Sequence, residues 1–172
     1  GWANSGVGKS SPSDGMQLET DLRDRIQRQM WAGVYEPHVR ECFEALIRPG
    51  DAYFDVGAHI GYHASLVALR TGSTGRVYAF EADPAMYSKL AANLRQFSWA
   101  AAVHTAVWEH TGTLEFERSS EQHESGWGTL TAVRDLQQGE HLRVPSTTLD
   151  DFCSHAAVGR LDAMKIDAEG SE

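Results

Sequence analysis

Apolar residues gather along this chain in two patterns. In the first, short runs of aromatic, β-branched and small residues stand between turn formers: Ala52 to Val56 after Pro49-Gly50, Arg76 to Phe80, Val103 to Val107 and Leu161 to Ile166. Runs of this length and composition read as strands buried on both faces. In the second pattern, apolar residues return every three or four positions. Over Glu36 to Arg48 they are Val39, Cys42, Phe43 and Leu46, behind a Pro37 suited to a first helical turn. Gly61 to Arg70 is a second such segment, ended by Thr71-Gly72, and Asp83-Pro84 caps a third with Tyr87, Leu90, Ala91 and Leu94 on one face. Strands alternating with helices predict an α/β fold, a parallel sheet with helices on both faces.

The flanking segments are less regular. Residues 1–15 are rich in Gly and Ser with no apolar period and read as a flexible leader. Met16 to Leu22 fits a strand or a helix equally well, Asp24 to Trp31 reads as a helix, and residues 16–50 together form an N-terminal extension to a main domain over 51–172. From Gly112 the pattern changes to alternating pieces, Thr113 to Glu117 and Thr129 to Val133, around polar Ser119 to Gly126. That predicts an inserted β-hairpin, in which Trp127 is either a ring facing a substrate or a packing anchor. His141 to Val144 reads as a further strand, and Thr148 to Phe152 starts another helix.

Candidate chemistry begins where the first buried run stops. In Asp55-Val56-Gly57-Ala58-His59-Ile60-Gly61 the glycines let the backbone turn tightly and pass close to a ligand, and a helix opening at Gly61 aims its free N–H groups there. Asp55 disfavours a bare phosphate and favours a cationic or hydroxyl-bearing ligand. The next strand ends in Glu81, where a βαβ nucleotide fold holds ribose hydroxyls. In Lys165-Ile166-Asp167 the strand period puts Lys165 and Asp167 on one face, beside the tip that carries Asp55. Asp167 first and Glu169 second are candidates to take a proton from a hydroxyl group or to bind a divalent ion; the alternative is that both cap a following helix. Lys165 neutralises Asp167.

These residues resemble a known family. FDVGAHIGYHAS, VYAFEADP with Asn93-Leu94 after it, VPSTTLDDF and MKIDAEGSE are similar to the successive motifs of FkbM-type S-adenosylmethionine-dependent methyltransferases, over about Tyr35 to Glu172. The resemblance implies a class I Rossmann-like sheet, S-adenosylmethionine as methyl donor, and a small-molecule hydroxyl acceptor on a sugar or natural product. It places Gly57, Ala58, His59 and Gly61 under the methionine moiety, Glu81 on the ribose, Ala82 and Val107 around the adenine, and Asp55 behind the loop. Glu36, in Tyr35-Glu36-Pro37, matches an element near the cofactor, although a plain helix cap explains it equally well. A nicotinamide dehydrogenase is disfavoured because Tyr62, His63 and Ala64 stand where its third glycine belongs. The rival from another class is a non-catalytic nucleoside-binding or assembly module.

Composition narrows the picture further. With 15 Lys and Arg against 24 Asp and Glu, the net charge of −9 argues against nucleic acid as a partner. No stretch reads as a membrane span. Cys42 and Cys153 lack paired spacing and read as free thiols in a reducing cytoplasm. His59 and His63 are four apart, but Gly61 between them marks the turn, so no metal site is expected. Ala3 to Ser10, ANSGVGKS, loosely matches a phosphate loop, yet Ser11-Pro12 follows where a helix is needed. The sequence stops at Glu172, inside a motif, which reads as a fold cut short at its C-terminal end. On that reading the Leu161–Ile166 strand is an open edge through which copies self-associate.

Overall fold

The structure is a computed structural model that describes residues 7–10, 15–118, 128–130 and 140–168. Strand β1 (Val7–Ser10) pairs antiparallel with β2 (Leu18–Asp21), followed by helices α1 (Arg25–Trp31) and α2 (Pro37–Leu46). The leader expected over residues 1–15 is thus corrected at its centre: Gly8, Lys9 and Ser10 face Thr20, Glu19 and Leu18 across a ladder. A residue extended in a β-ladder cannot curl into an N–H cradle, so the phosphate-loop match describes no such loop.

The main sheet is built from β3 (Ala52–Val56), β4 (Arg76–Glu81), β5 (Ala100–His104) and β10 (Ala163–Ile166), all parallel, in the order β10-β3-β4-β5. Helix α3 (Tyr62–Thr71) crosses from β3 to β4, and α4 (Pro84–Leu94) from β4 to β5. Asp83 starts α4 by accepting the N–H groups of Ala85 and Met86, with Pro84 in the first turn. Tyr53, Val77 and Ala79 on one face of the sheet pack with Ala64, Val67 and Ala68 of α3 and Leu90 and Leu94 of α4. Phe54, Val56 and Phe80 on the other face pack with Leu149 and Phe152 of α5 (Leu149–His155). Period-two alternation therefore buries both faces of β3, and each aromatic so buried contributes about 1.5–3 kcal/mol.

Three expectations shift. Helix α2 buries Phe43 while Leu46 is 69 % exposed, because the chain leaves the helix at Ile47 and that residue, 2 % exposed, fills the space instead. The strand expected over Val103–Val107 is two pieces. The chain leaves the parallel sheet at Thr105, whose hydroxyl donates to the Pro145 carbonyl at 3.0 Å, and β6 (Ala106–Val107) pairs with β9 (Glu140–Thr147). The inserted hairpin of β7 (Gly112–Arg118) and β8 (Gly128–Leu130) belongs to a second sheet, β6-β9-β7-β8; Trp127 lies outside the described residues. Strand β10 is the edge of the parallel sheet, and Met164 and Ile166 on it are exposed. No helix among the described residues is long and apolar enough to cross a membrane.

The N-terminal strands and α1 lie over the loop that leaves β3. Met16, Leu18 and Met30 pack with Ile60, Tyr62 and Leu66, and Asn93 ties the layers together by accepting the Glu19 N–H at 2.7 Å and donating to the Ile60 carbonyl at 2.8 Å. Asn93 is 4 % exposed, so its removal leaves both backbone groups unpaired in the interior. Asn93→Leu is expected to lower stability by about 1–3 kcal/mol in urea unfolding. A change within error would show that water satisfies these groups and that the tie holds nothing.

Candidate functional site

The strand order places β4 on one side of β3 and β10 on the other, so the chain's winding reverses at β3. Open parallel sheets bind ligands beyond the carboxyl ends of the strands at such a reversal. Here the exit loop is held from below: the N–H groups of Gly57 and Ala58 both donate to the Phe80 carbonyl, at 3.0 and 2.9 Å. Gly57 and Gly61 have φ of 76° and 85°, and His59 between them is also left-handed at 53°. A Cβ on Gly57 would lie 1.9 Å from the Asp167 carbonyl oxygen, so only glycine fits there.

Glu81 fixes the rim of this loop. Its carboxylate accepts the His59 N–H through Oε2 and the Asp83 N–H through Oε1, each at 2.8 Å. Burial raises its pKa to about 7 despite those two donors. Asp55 lies deeper, with no exposed surface, and the Ala64 N–H faces its carboxyl group. Desolvation lifts it to about 6, which the Lys165 charge only partly offsets. Lys165 is the strand partner of Asp55 and donates from Nζ to Asp167 Oδ2 at 3.0 Å. Burial works against the ammonium, but Asp55, Asp167 and Glu36 outweigh it and raise its pKa.

The expected residues therefore meet unevenly. Asp55, Gly57, Ala58, His59, Gly61 and Glu81 surround one crevice, and Asp167, in extended chain after β10, closes its other side. Burial drives the His59 imidazole down to about 4, so it is neutral at physiological pH. Ala82 packs with Ala106, Phe116 and Val144 under the second sheet, whereas Val107 packs with Phe80 and Phe152 toward α5. These two residues do not share a wall, because the chain turns at Thr105. Glu169 lies outside the described residues. Among the described residues, no group of three or more His, Cys, Asp and Glu is placed to hold a metal ion.

Two arrangements escaped the sequence reading. Arg118 of β7 reaches Asp83 with Nε and Nη2 at 2.5 and 2.7 Å and Glu140 with Nη1 at 2.8 Å, pinning the second sheet beside Glu81 and Ala82. The strand alternation of β7 gives no sign of this, since an arginine at a strand end is ordinarily solvated. His63 in the first turn of α3 faces Glu36, with Nε2 3.6 Å from Oε2. Their meeting depends on the approach of two helices, which spacing within one helix does not report.

A family described as the methyltransferase FkbM domain matches residues 55–172. The chain is similar to the 2-O-methyltransferase NoeI of Sinorhizobium fredii, 22 % identical over 171 residues, covering 90 % of this chain and 70 % of that protein. Among solved structures it is similar to TYW2 of M. jannaschii in complex with AdoMet, at 19 % identity and a TM-score of 0.48, over 60 % of this chain and 45 % of that one. Fibrillarin of Aeropyrum pernix with natively bound S-adenosyl-L-methionine is similar at 22 % identity and a TM-score of 0.36, over 41 % of this chain and 32 % of that one. The chain thus spans less than half the length of either solved structure.

Glu81 makes the stability of this fold sensitive to pH. Its folded pKa of about 7 lies above the ordinary 4.5, so the folded protein holds a proton that the unfolded chain releases. The stability this gives is full below the unfolded value and is lost as pH rises through about 7. Thermal unfolding followed from pH 5 to 8 without ligand should show Glu81→Gln falling less steeply with pH than the parent chain. Parallel slopes would contradict the raised pKa.

Proposed function

The chain belongs to the FkbM family of S-adenosylmethionine-dependent methyltransferases, and on that premise we propose that it methylates a hydroxyl oxygen on a sugar or natural-product-like small molecule. The observation that carries this reading is the Glu81 carboxylate, held by two backbone N–H groups at the tip of β4 beside the Gly57–Gly61 turn. An oriented carboxylate with remaining lone pairs is the acceptor that two vicinal ribose hydroxyls require. Gly57, Ala58, His59 and Gly61 line the place for the methionine moiety, Asp55 supports that loop, and Ala82 lines one side of the adenine. The position of Val107 toward α5 supports an indirect part for it, behind the Phe80 wall.

When bound, the donor supplies an electrophilic methyl on sulfonium. The chain's part is then alignment, with proton removal a smaller contribution. Asp167 is the group at the acceptor side: its carboxylate is 45 % exposed, open to an incoming hydroxyl, and Lys165 holds it in place at 3.0 Å. With the donor bound, Asp167 would take the proton that the acceptor hydroxyl loses and pass it on to solvent. Similarity to a 2-O-methyltransferase favours oxygen as the accepting atom.

Titration calorimetry tests this directly. S-adenosylhomocysteine should bind and NAD should not, and Glu81→Ala should weaken the former by about 1–3 kcal/mol, the cost of leaving hydroxyls without a charged acceptor. In methyl-transfer assays against a panel of glycan and polyketide hydroxyls, Asp167→Asn should keep cofactor affinity and slow turnover by roughly 10²- to 10⁴-fold. NAD binding, or unchanged affinity in Glu81→Ala, would overturn the assignment.

A further inference from the structure

We propose that Glu36 and His63 form a subsite for a primary ammonium group, the α-amino group on the amino-acid portion of the methyl donor, and that they select ligands carrying it. The proposal rests on the methyl-donor reading of the crevice given above.

Its starting point is the backbone at Glu36. This residue precedes α2 with φ 42° and ψ 61°, a left-handed conformation that is strained for a non-glycine residue. Pro37 immediately after it fixes the helix start, so the strained turn aims the Glu36 side chain at the first turn of α3. There its Oε2 stands 3.6 Å from His63 Nε2, too far for a hydrogen bond, and neither atom has a hydrogen-bond partner in the protein. His63 is 5 % exposed and ringed by Tyr35, Phe43 and Tyr62 at centroid distances of 5.6, 5.4 and 5.2 Å.

Two buried polar atoms that face each other at 3.6 Å without a hydrogen bond point to a ligand that joins them. Protonated His63 would close the gap as an ion pair, but burial and the nearby Lys165 charge push its pKa down to about 3. At neutral pH the imidazole is therefore neutral, and its Nε2 accepts when the proton sits on Nδ1. A buried carboxylate oxygen without a donor carries an uncompensated desolvation cost. An ammonium answers both atoms at once, since it offers three donors and the opposite charge.

The surroundings favour the same chemistry. Glu36, Asp55 and Asp167 are near enough to raise the Lys165 pKa together, three carboxyl groups around one ammonium. Asp55 adds a further carboxyl group with no exposed surface. A helix N-terminus such as that of α3 would by itself attract a phosphate or carboxylate. Carboxylates beside its first turn reverse that preference, and the crevice is left matched to a cation. Because His63 lies only two residues beyond Gly61, the subsite sits at the methionine end of the loop and not at the ribose end by Glu81.

Calorimetry with S-adenosylhomocysteine and with its deamino analogue, which keeps every other group, separates the alternatives. The parent chain should bind S-adenosylhomocysteine on the order of 10- to 100-fold more tightly than the deamino analogue. Glu36→Gln, which keeps the shape and removes the charge, should abolish that difference by weakening S-adenosylhomocysteine alone. Equal binding of the two ligands by the parent chain overturns the subsite without any variant being needed. Equal weakening of both ligands by Glu36→Gln also overturns it, since Glu36 would then act on the fold or the nucleoside. If the parent chain binds neither ligand, the methyl-donor reading itself falls and takes the subsite with it.

Discussion

The crevice depends on how closely two backbones approach at the reversal of the sheet. Gly57, leaving β3, lies so near the Asp167 carbonyl that a single added carbon would stand 1.9 Å from the oxygen. From the other side, the Asp167 N–H donates to the Val56 carbonyl at 3.0 Å. The ends of β3 and β10 are thus locked together, and the Gly57 and Ala58 amides lock the same loop onto β4 through Phe80. With three strand ends held in one place, their last side chains converge without any long-range device. Asp55 and Lys165 are strand partners, Asp167 follows, and Glu81 closes the rim.

Charge is the second constraint on this geometry. The turn and the start of α3 are built like an anion site, yet the residues around them are acidic. Glu81 and Asp55 are both raised by burial, which means that the fold holds carboxyl groups where water would serve their charged forms better. Such strain is relieved by a ligand rich in donors, hydroxyls at one end and positive charge at the other. A nucleoside joined to an amino acid has that distribution. A dinucleotide, with its central pyrophosphate, has the opposite one.

Much of this was legible in the sequence, for physical reasons that differ from residue to residue. The core strands could be read because residues buried on both faces leave a dense apolar run, and the glycine turn because Gly57 and Gly61 require positive φ. Asp167 beside Asp55 followed from strand alternation once β10 was placed next to β3. Other features depend on tertiary contacts that no local period encodes. Val7–Ser10 forms a strand only because Leu18–Asp21 offers a ladder, and the break at Thr105 depends on a carbonyl some forty residues away. The Glu36–His63 approach joins two helices, and the Arg118–Asp83 pair joins two sheets. Val107 falls in a different apolar cluster from Ala82 because the chain leaves the parallel sheet at Thr105.

A crystal structure of this chain with S-adenosylhomocysteine is the most direct test that the crevice beyond β3 and β4 holds the methyl donor. The account predicts the ribose hydroxyls within about 3 Å of the Glu81 carboxylate, with the thioether chain running over Gly57 toward Asp167. Ligand bound elsewhere on the fold, or bound with its ribose away from Glu81, would contradict it.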